Sequence, residues 1–144
     1  MITDKFLRVS DAQALTTTAV STDSIDLSTA RDMGEGNDLY MNFAVGTALA
    51  GGTSVKFEII MADNAALTTN PVVIGSSDAI VTASLVAAYQ TALRINPQVK
   101  SLGKRYLGAR YTIVGTYTAG TVTADIVETL QDGQKYYASG FSVV

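Results

Sequence analysis

The feature that most constrains this chain is a strict two-residue alternation of apolar and polar side chains. In Leu39-Tyr-Met-Asn-Phe-Ala-Val45, residues Leu39, Met41, Phe43 and Val45 fall on one face, and Tyr40, Asn42 and Ala44 on the other. Ser54 to Met61 repeats the pattern, with Val55, Phe57, Ile59 and Met61 opposite Lys56 and Glu58. Successive side chains of a strand point to opposite faces, so each segment offers an oily side to a core and a wetter side to solvent. A one-residue slip would expose the oily set, so the same pattern fixes pairing register. Charged residues make up 16% of the chain, with Thr, Ser, Ala and Gly filling the balance, a mixture that suits sheets and short turns better than exposed helices.

Further strands follow from the same logic. Tyr106 to Tyr117 is aromatic and β-branched, Thr118-Ala119-Gly120 follows, and Val122, Ala124 and Ile126 alternate with polar residues in Thr121 to Leu130. Gly120 can take the positive φ of a tight turn, so the pair is predicted to be a β-hairpin. Asp132-Gly133 marks a turn and Gly140 to Val144 a closing strand. Ile25-Asp26-Leu27 and the run from Pro71 to Gly75 read as short strands, Arg31 to Asp38 as a polar turn, and Gly51-Gly52 as a flexible connection. Residues 79–95 fit two templates. Ser77-Asp78 would cap a helix with Val81, Leu85, Ala88, Tyr89 and Ala92 on one stripe, while Leu93-Arg94-Ile95 fits a strand. With no linker or repeat, residues 1–144 are expected to form one all-β domain, an antiparallel β-sandwich of about eight strands with little or no helix.

The chain has neither His nor Cys, which removes catalytic triads, thiol nucleophiles and the usual zinc sites. Asp32, Glu35 and Asp38 could offer oxygens to Ca²⁺, but their spacing misses the EF-hand loop and reads as a solvated turn. Asp63 and Asp78 flank apolar runs as strand ends do, and nothing marks a catalytic carboxylate pair. Gly103 to Gly108 lacks the Lys-Ser/Thr ending of a phosphate loop. No enzyme activity, cofactor or metal is expected.

A net charge of −3 and a pI near 4.7 argue against a nucleic-acid partner, which demands cations along the phosphates. Lys100, Lys104, Arg105 and Arg110 form the one basic cluster, read either as a small anion patch or as a solvated sheet edge. Tyr106, Tyr111, Tyr117, Tyr136 and Tyr137 could build a sugar-stacking platform, or serve a core or an interface. The opening residues lack the apolar stretch of a signal peptide and no run is long enough to span a membrane, so synthesis in a cytoplasm and no membrane partner are expected.

The block from Asp4 to Ala14, Ser21 to Leu27 and Ala30-Arg31-Asp32 resembles the capsid cement (decoration) protein family of Bordetella-phage type. The likeness continues at Lys104 to Leu107, Tyr111 to Gly115 and Thr118 to Ala124, and ends near Tyr137 to Gly140. It implies a jelly-roll-like sandwich that binds the major capsid protein on the outer surface of a tailed-phage head, bridges capsomers and stabilises the shell. It also implies self-association as a dimer, with a trimer as the alternative, and a strand around Leu93-Arg94-Ile95. A carbohydrate-binding sandwich on a virion or cell surface is the alternative function.

Residues 1–18 are a candidate extended N-terminal arm. Ile2, Phe6, Leu7, Arg8 and Val9 are the candidate partner-binding residues, because this apolar set precedes the first clear strand and needs burial somewhere. Two destinations are open: a lattice contact, or the sandwich's own edge, which must be shielded from stray pairing.

Overall fold

A computed structural model describes residues 4–27, 38–96 and 102–128. Its strands are β1 (Arg8–Ala14), β2 (Ala19–Val20), β3 (Ile25–Asp26), β4 (Tyr40–Ala50), β5 (Ser54–Ala62), β6 (Val72–Ser76), β7 (Ile80–Val81), β8 (Gln90–Arg94), β9 (Tyr106–Val114) and β10 (Ala119–Val127). Single 3-10 turns at Lys5–Leu7 and Thr82–Ser84 accompany them. One antiparallel sheet runs β1-β10-β4-β8, and the other β2-β9-β5-β6, with β3 also on β9 and β7 also on β5. Counting β2 with β3 and β6 with β7 as single positions, the orders become first-eighth-third-sixth and second-seventh-fourth-fifth, the jelly-roll arrangement. The expected sandwich of about eight strands is therefore the fold observed.

The alternation read from sequence builds the core. Met41, Phe43 and Val45 of β4 and Val55, Phe57, Ile59 and Met61 of β5 are all buried between the sheets. Phe43 and Phe57 meet with ring centres 5.0 Å apart, and Tyr111 of β9 stands edge-on to Phe57 at 6.0 Å. Such tilted and edge-to-face contacts add to what area burial alone contributes. The Tyr111 hydroxyl donates to Ser10 Oγ at 2.7 Å, so the phenol is buried without an orphaned polar atom. Burial pushes its pKa well above the ordinary phenol value, only partly opposed by that bond.

Two expectations change, and one open alternative is decided. Residues 106–127 do not form a hairpin, because β9 and β10 lie in different sheets and the link between them arches across the sandwich. Tyr117, in that link, is buried, and its hydroxyl shares a 2.7 Å hydrogen bond with Thr82 Oγ1. Gly120 lies inside β10 and not at a turn. Its φ is +133°, and a Cβ there would stand 2.5 Å from Leu49 Cγ, so it serves close packing between strands. The Gly51-Gly52 connection is a second arch stacked beside the first, and a Cβ on Gly52 would fall 2.4 Å from the Tyr117 ring. In residues 79–95 the helix template loses to β7, a 3-10 turn and β8. Finally, Glu58, expected on a wet face, is 4% exposed. The turn at Asp132-Gly133 and the strand at Gly140 to Val144 lie outside the described residues.

Candidate partner-binding surface

At the sandwich end opposite the two arches, Asp4 opens the 3-10 turn Lys5–Leu7. Asp4 Oδ1 accepts from the Phe6 N–H at 2.9 Å, and the Leu7 N–H donates to the Asp4 carbonyl at 3.0 Å. This is the side-chain cap that aspartate supplies at a helical start. The turn holds Phe6 out in solvent, 90% exposed, with Leu7 beside it at 37%.

Arg8 then fastens the turn to the sandwich. Its Nε donates to Asp125 Oδ1 of β10 at 2.7 Å, and its Nη1 to Asp11 Oδ1 at 3.0 Å. The hydrogen bond that Arg8 donates to Asp125, helped by that carboxylate's charge, raises the Arg8 pKa further against the cost of burial. Val9 is fully buried in the core. Of the five residues singled out in sequence, Phe6 and Leu7 face outward, Arg8 anchors, Val9 belongs to the interior, and Ile2 lies outside the described residues. Residues 8–14 are not an extended arm, since they are paired to β10 as an edge strand, and Leu15 beyond them is buried.

A polar network seals that edge. Ser10 Oγ donates to Gln13 Oε1 at 2.8 Å, and Gln13 Nε2 donates to the Val20 carbonyl at 2.8 Å. The N–H of Thr22 reaches Gln13 Oε1 at 3.1 Å, and that of Asp23 the Val9 carbonyl at 2.9 Å. The chain crossing from β2 to β3 therefore covers the free side of β1, which guards it against stray pairing.

The basic cluster is not a free anion patch. Lys104 Nζ sits 2.9 Å from Asp63 Oδ1, and Arg105 holds Asp26 through two bonds of 2.8 Å. Arg110 Nε donates to Glu58 Oε2 at 2.6 Å. Lys100 lies outside the described residues. Burial alone would raise the Glu58 pKa. Hydrogen bonds from Arg110 and Thr112, with the charges of Arg110 and Lys56, overcome it and hold the carboxyl below its ordinary value. Bonds from Asn70 and Lys104 lower Asp63 likewise.

The tyrosines do not make one platform. Tyr111 and Tyr117 are buried, and Tyr106 is half-buried with the Arg105 guanidinium 5.1 Å over its ring, while Tyr136 and Tyr137 lie outside the described residues. Asp38 pairs with Arg94, and Asp32 and Glu35 lie outside the described residues. No three acidic groups stand together as a metal cluster among the described residues.

Sequence reasoning missed one buried polar pair. Asn42 and Asp125 face each other across β4 and β10, 2% and 3% exposed. The alternation places Asn42 on the wetter face of its strand, and nothing in its position signals that this face is covered.

Comparison with curated proteins gave no match. A family model described as Bbp16, a Bordetella phage protein name, matches residues 9–126, most of the chain and nearly all of the jelly roll. The chain belongs to the Bbp16 family, a phage-related family.

Proposed function

We propose that this protein is a capsid decoration protein, binding the outer surface of an assembled tailed-phage head and bridging major capsid protein subunits. The observation that carries the reading is the match to a phage-related family over residues 9–126. The site chemistry supports it. The charged groups at the surface are largely tied into internal pairs, while Phe6 stands exposed on a capped, anchored turn. A rigid aromatic is the usual kind of anchor for a protein interface, because little side-chain entropy is lost when it docks. Phe6 with Leu7 is thus the contact, and the rest of the jelly roll is the body that spans between subunits. Repetition over a lattice then multiplies a modest patch through high effective concentration.

Co-sedimentation with heads stripped of this protein tests the reading. Saturable binding and a raised particle melting temperature are expected, and Phe6→Ala should weaken binding by about tenfold or more without changing the melting of the free protein. Heads of the cognate phage that take up none of the wild-type protein would sink the proposal.

A further inference from the structure

Charge is distributed unevenly along the chain. No Asp, Glu, Lys or Arg occurs in residues 12–22, 39–55, 79–93 or 111–124. The fold gathers the middle of each stretch at one end of the sandwich, as the β1–β2 link, the β4–β5 arch, the β7–β8 link and the β9–β10 arch. Backbone hydrogen bonds tie these connections to one another. The Tyr117 N–H donates to the Thr16 carbonyl at 2.9 Å and that of Thr118 to Ala50 at 2.8 Å. The Leu49 N–H likewise reaches the Leu85 carbonyl, and that of Thr82 the Thr53 carbonyl, both at 3.0 Å. The ion pairs Arg8–Asp125, Arg94–Asp38, Lys104–Asp63 and Arg105–Asp26 all stand towards the opposite end.

What the arch end exposes is small and neutral. Thr47, Thr116 and Thr118 are exposed, and Val81, Val86 and Val114 are 56%, 55% and 55% exposed. Val81 and Val114 flank Ser54 in one cross-strand row. A soluble domain ordinarily covers its surface with charges of both signs, at about 25–35% of residues. Depletion of charge is instead the compositional mark of an interface core. The short side chains have few rotamers to lose, and the bonded arches already hold the backbone, so little ordering entropy opposes docking. Tyr89 and Tyr117 both pack into the core, which leaves a sugar no ring to stack on at this end among the described residues.

We propose that the charge-free end is a second capsid contact, docking on an uncharged surface of a different major capsid protein subunit from the one Phe6 engages. The assignment rests on the capsid reading above and supplies what Phe6 alone leaves out, since a bridge needs contacts on two subunits. β4 runs 11 residues from Tyr40, at the Phe6 end, to Ala50 in the arch, a span of about 35 Å at the usual rise of a strand. The two contacts therefore stand the length of the sandwich apart. The occupant is uncharged because an ion on its side would find no counter-charge here, and burying an unpaired ion is costly.

Charge placed on this end tests the contact. Val86→Lys combined with Val114→Lys, and Val86→Glu combined with Val114→Glu, should each weaken binding to stripped heads by about tenfold. Both side chains face solvent, so the free protein should melt unchanged in either pair. Val73→Lys, at an exposed valine of β6 outside the charge-free end, should bind as the wild type does. A second readout separates bridging from attachment. At concentrations that restore wild-type occupancy through Phe6, heads carrying the Lys pair should melt like undecorated heads, because a copy held at one end bridges nothing. Wild-type binding by both pairs, opposite effects of Lys and Glu, or full particle stabilisation by the Lys pair at equal occupancy overturns the proposal. Glycan binding that both pairs abolish, with head binding intact, overturns it in favour of a carbohydrate. Heads that take up none of the wild-type protein overturn the capsid reading and this contact together, whereas wild-type uptake with indifferent variants rejects this contact alone.

Discussion

Arg8 Nε donates to Asp125 Oδ1 at 2.7 Å, joining residues 117 positions apart at the sandwich end that carries Phe6. Asp125 is 3% exposed, so the pair is anchored on its buried partner. Removing one member of such a pair leaves the other charge uncompensated, which costs more than the pair itself contributes. Arg8→Ala is expected to lower stability by about 2–4 kcal/mol in denaturant unfolding. Adding Asp125→Asn should recover part of that loss. A double variant whose loss equals the sum of the Arg8→Ala and Asp125→Asn losses would show that the pair is not coupled.

Glu58 supplies an acid-sensitive term on the outer face of the other sheet. Its folded pKa lies below the ordinary value, because hydrogen bonds from Arg110 and Thr112 outweigh the effect of burial. A depressed carboxylate stabilises the fold above its unfolded pKa of about 4.3, and that contribution is lost as pH falls through the folded value. Glu58→Gln should therefore lower stability at neutral pH and make it less steeply dependent on pH below about 4.3. Unfolding midpoints for the two proteins, measured from neutral to acid pH, should converge. Parallel curves would contradict the assignment.

The stacked arches depend on Gly52 more than on the Tyr117 hydroxyl. Tyr117→Phe removes one 2.7 Å hydrogen bond, yet Thr82 Oγ1 keeps its bond to the Gly52 carbonyl, so a loss of about 1 kcal/mol is expected. Gly52→Ala places a methyl 2.4 Å from the ring and forces the arch to move, at a cost of about 1–3 kcal/mol. Thermal melting of both variants should rank Gly52→Ala as the more damaging. The reverse order would place the arch's stability in the hydrogen bond.

These cases show which parts of the fold local pattern could reach. Met41, Phe43 and Val45, or Val55 to Met61, declare their buried face because side-chain direction has period two. Whether β9 turns back within its sheet or arches to the other is not a local property, since a glycine near the link suits both. At the candidate site, the apolar set with Phe6 and Leu7 was legible as needing burial, but the capped turn that exposes Phe6 was not. The role of Arg8 was hidden because its partner is 117 residues away, and Val9 differs from its neighbours only through the strand it joins.

Asn42 offers the sharpest test of the covered face beside Asp125. Its Nδ2 is buried without a hydrogen-bond partner, directly across the strand pair from that carboxylate. An unmade bond carries the full desolvation cost of the donor, about 1–3 kcal/mol, so Asn42→Val should stabilise the fold by about 1 kcal/mol while suiting a strand. Asn42→Asp is nearly the same shape but sets a second carboxylate opposite Asp125. Repulsion and burial would raise the new group's pKa in the folded state, so it would destabilise at neutral pH and recover as pH falls through that raised value. Unfolding at neutral and mildly acid pH should show Asn42→Asp regaining stability where the wild type does not. A pH-independent loss would mean that shape, not charge, governs this position.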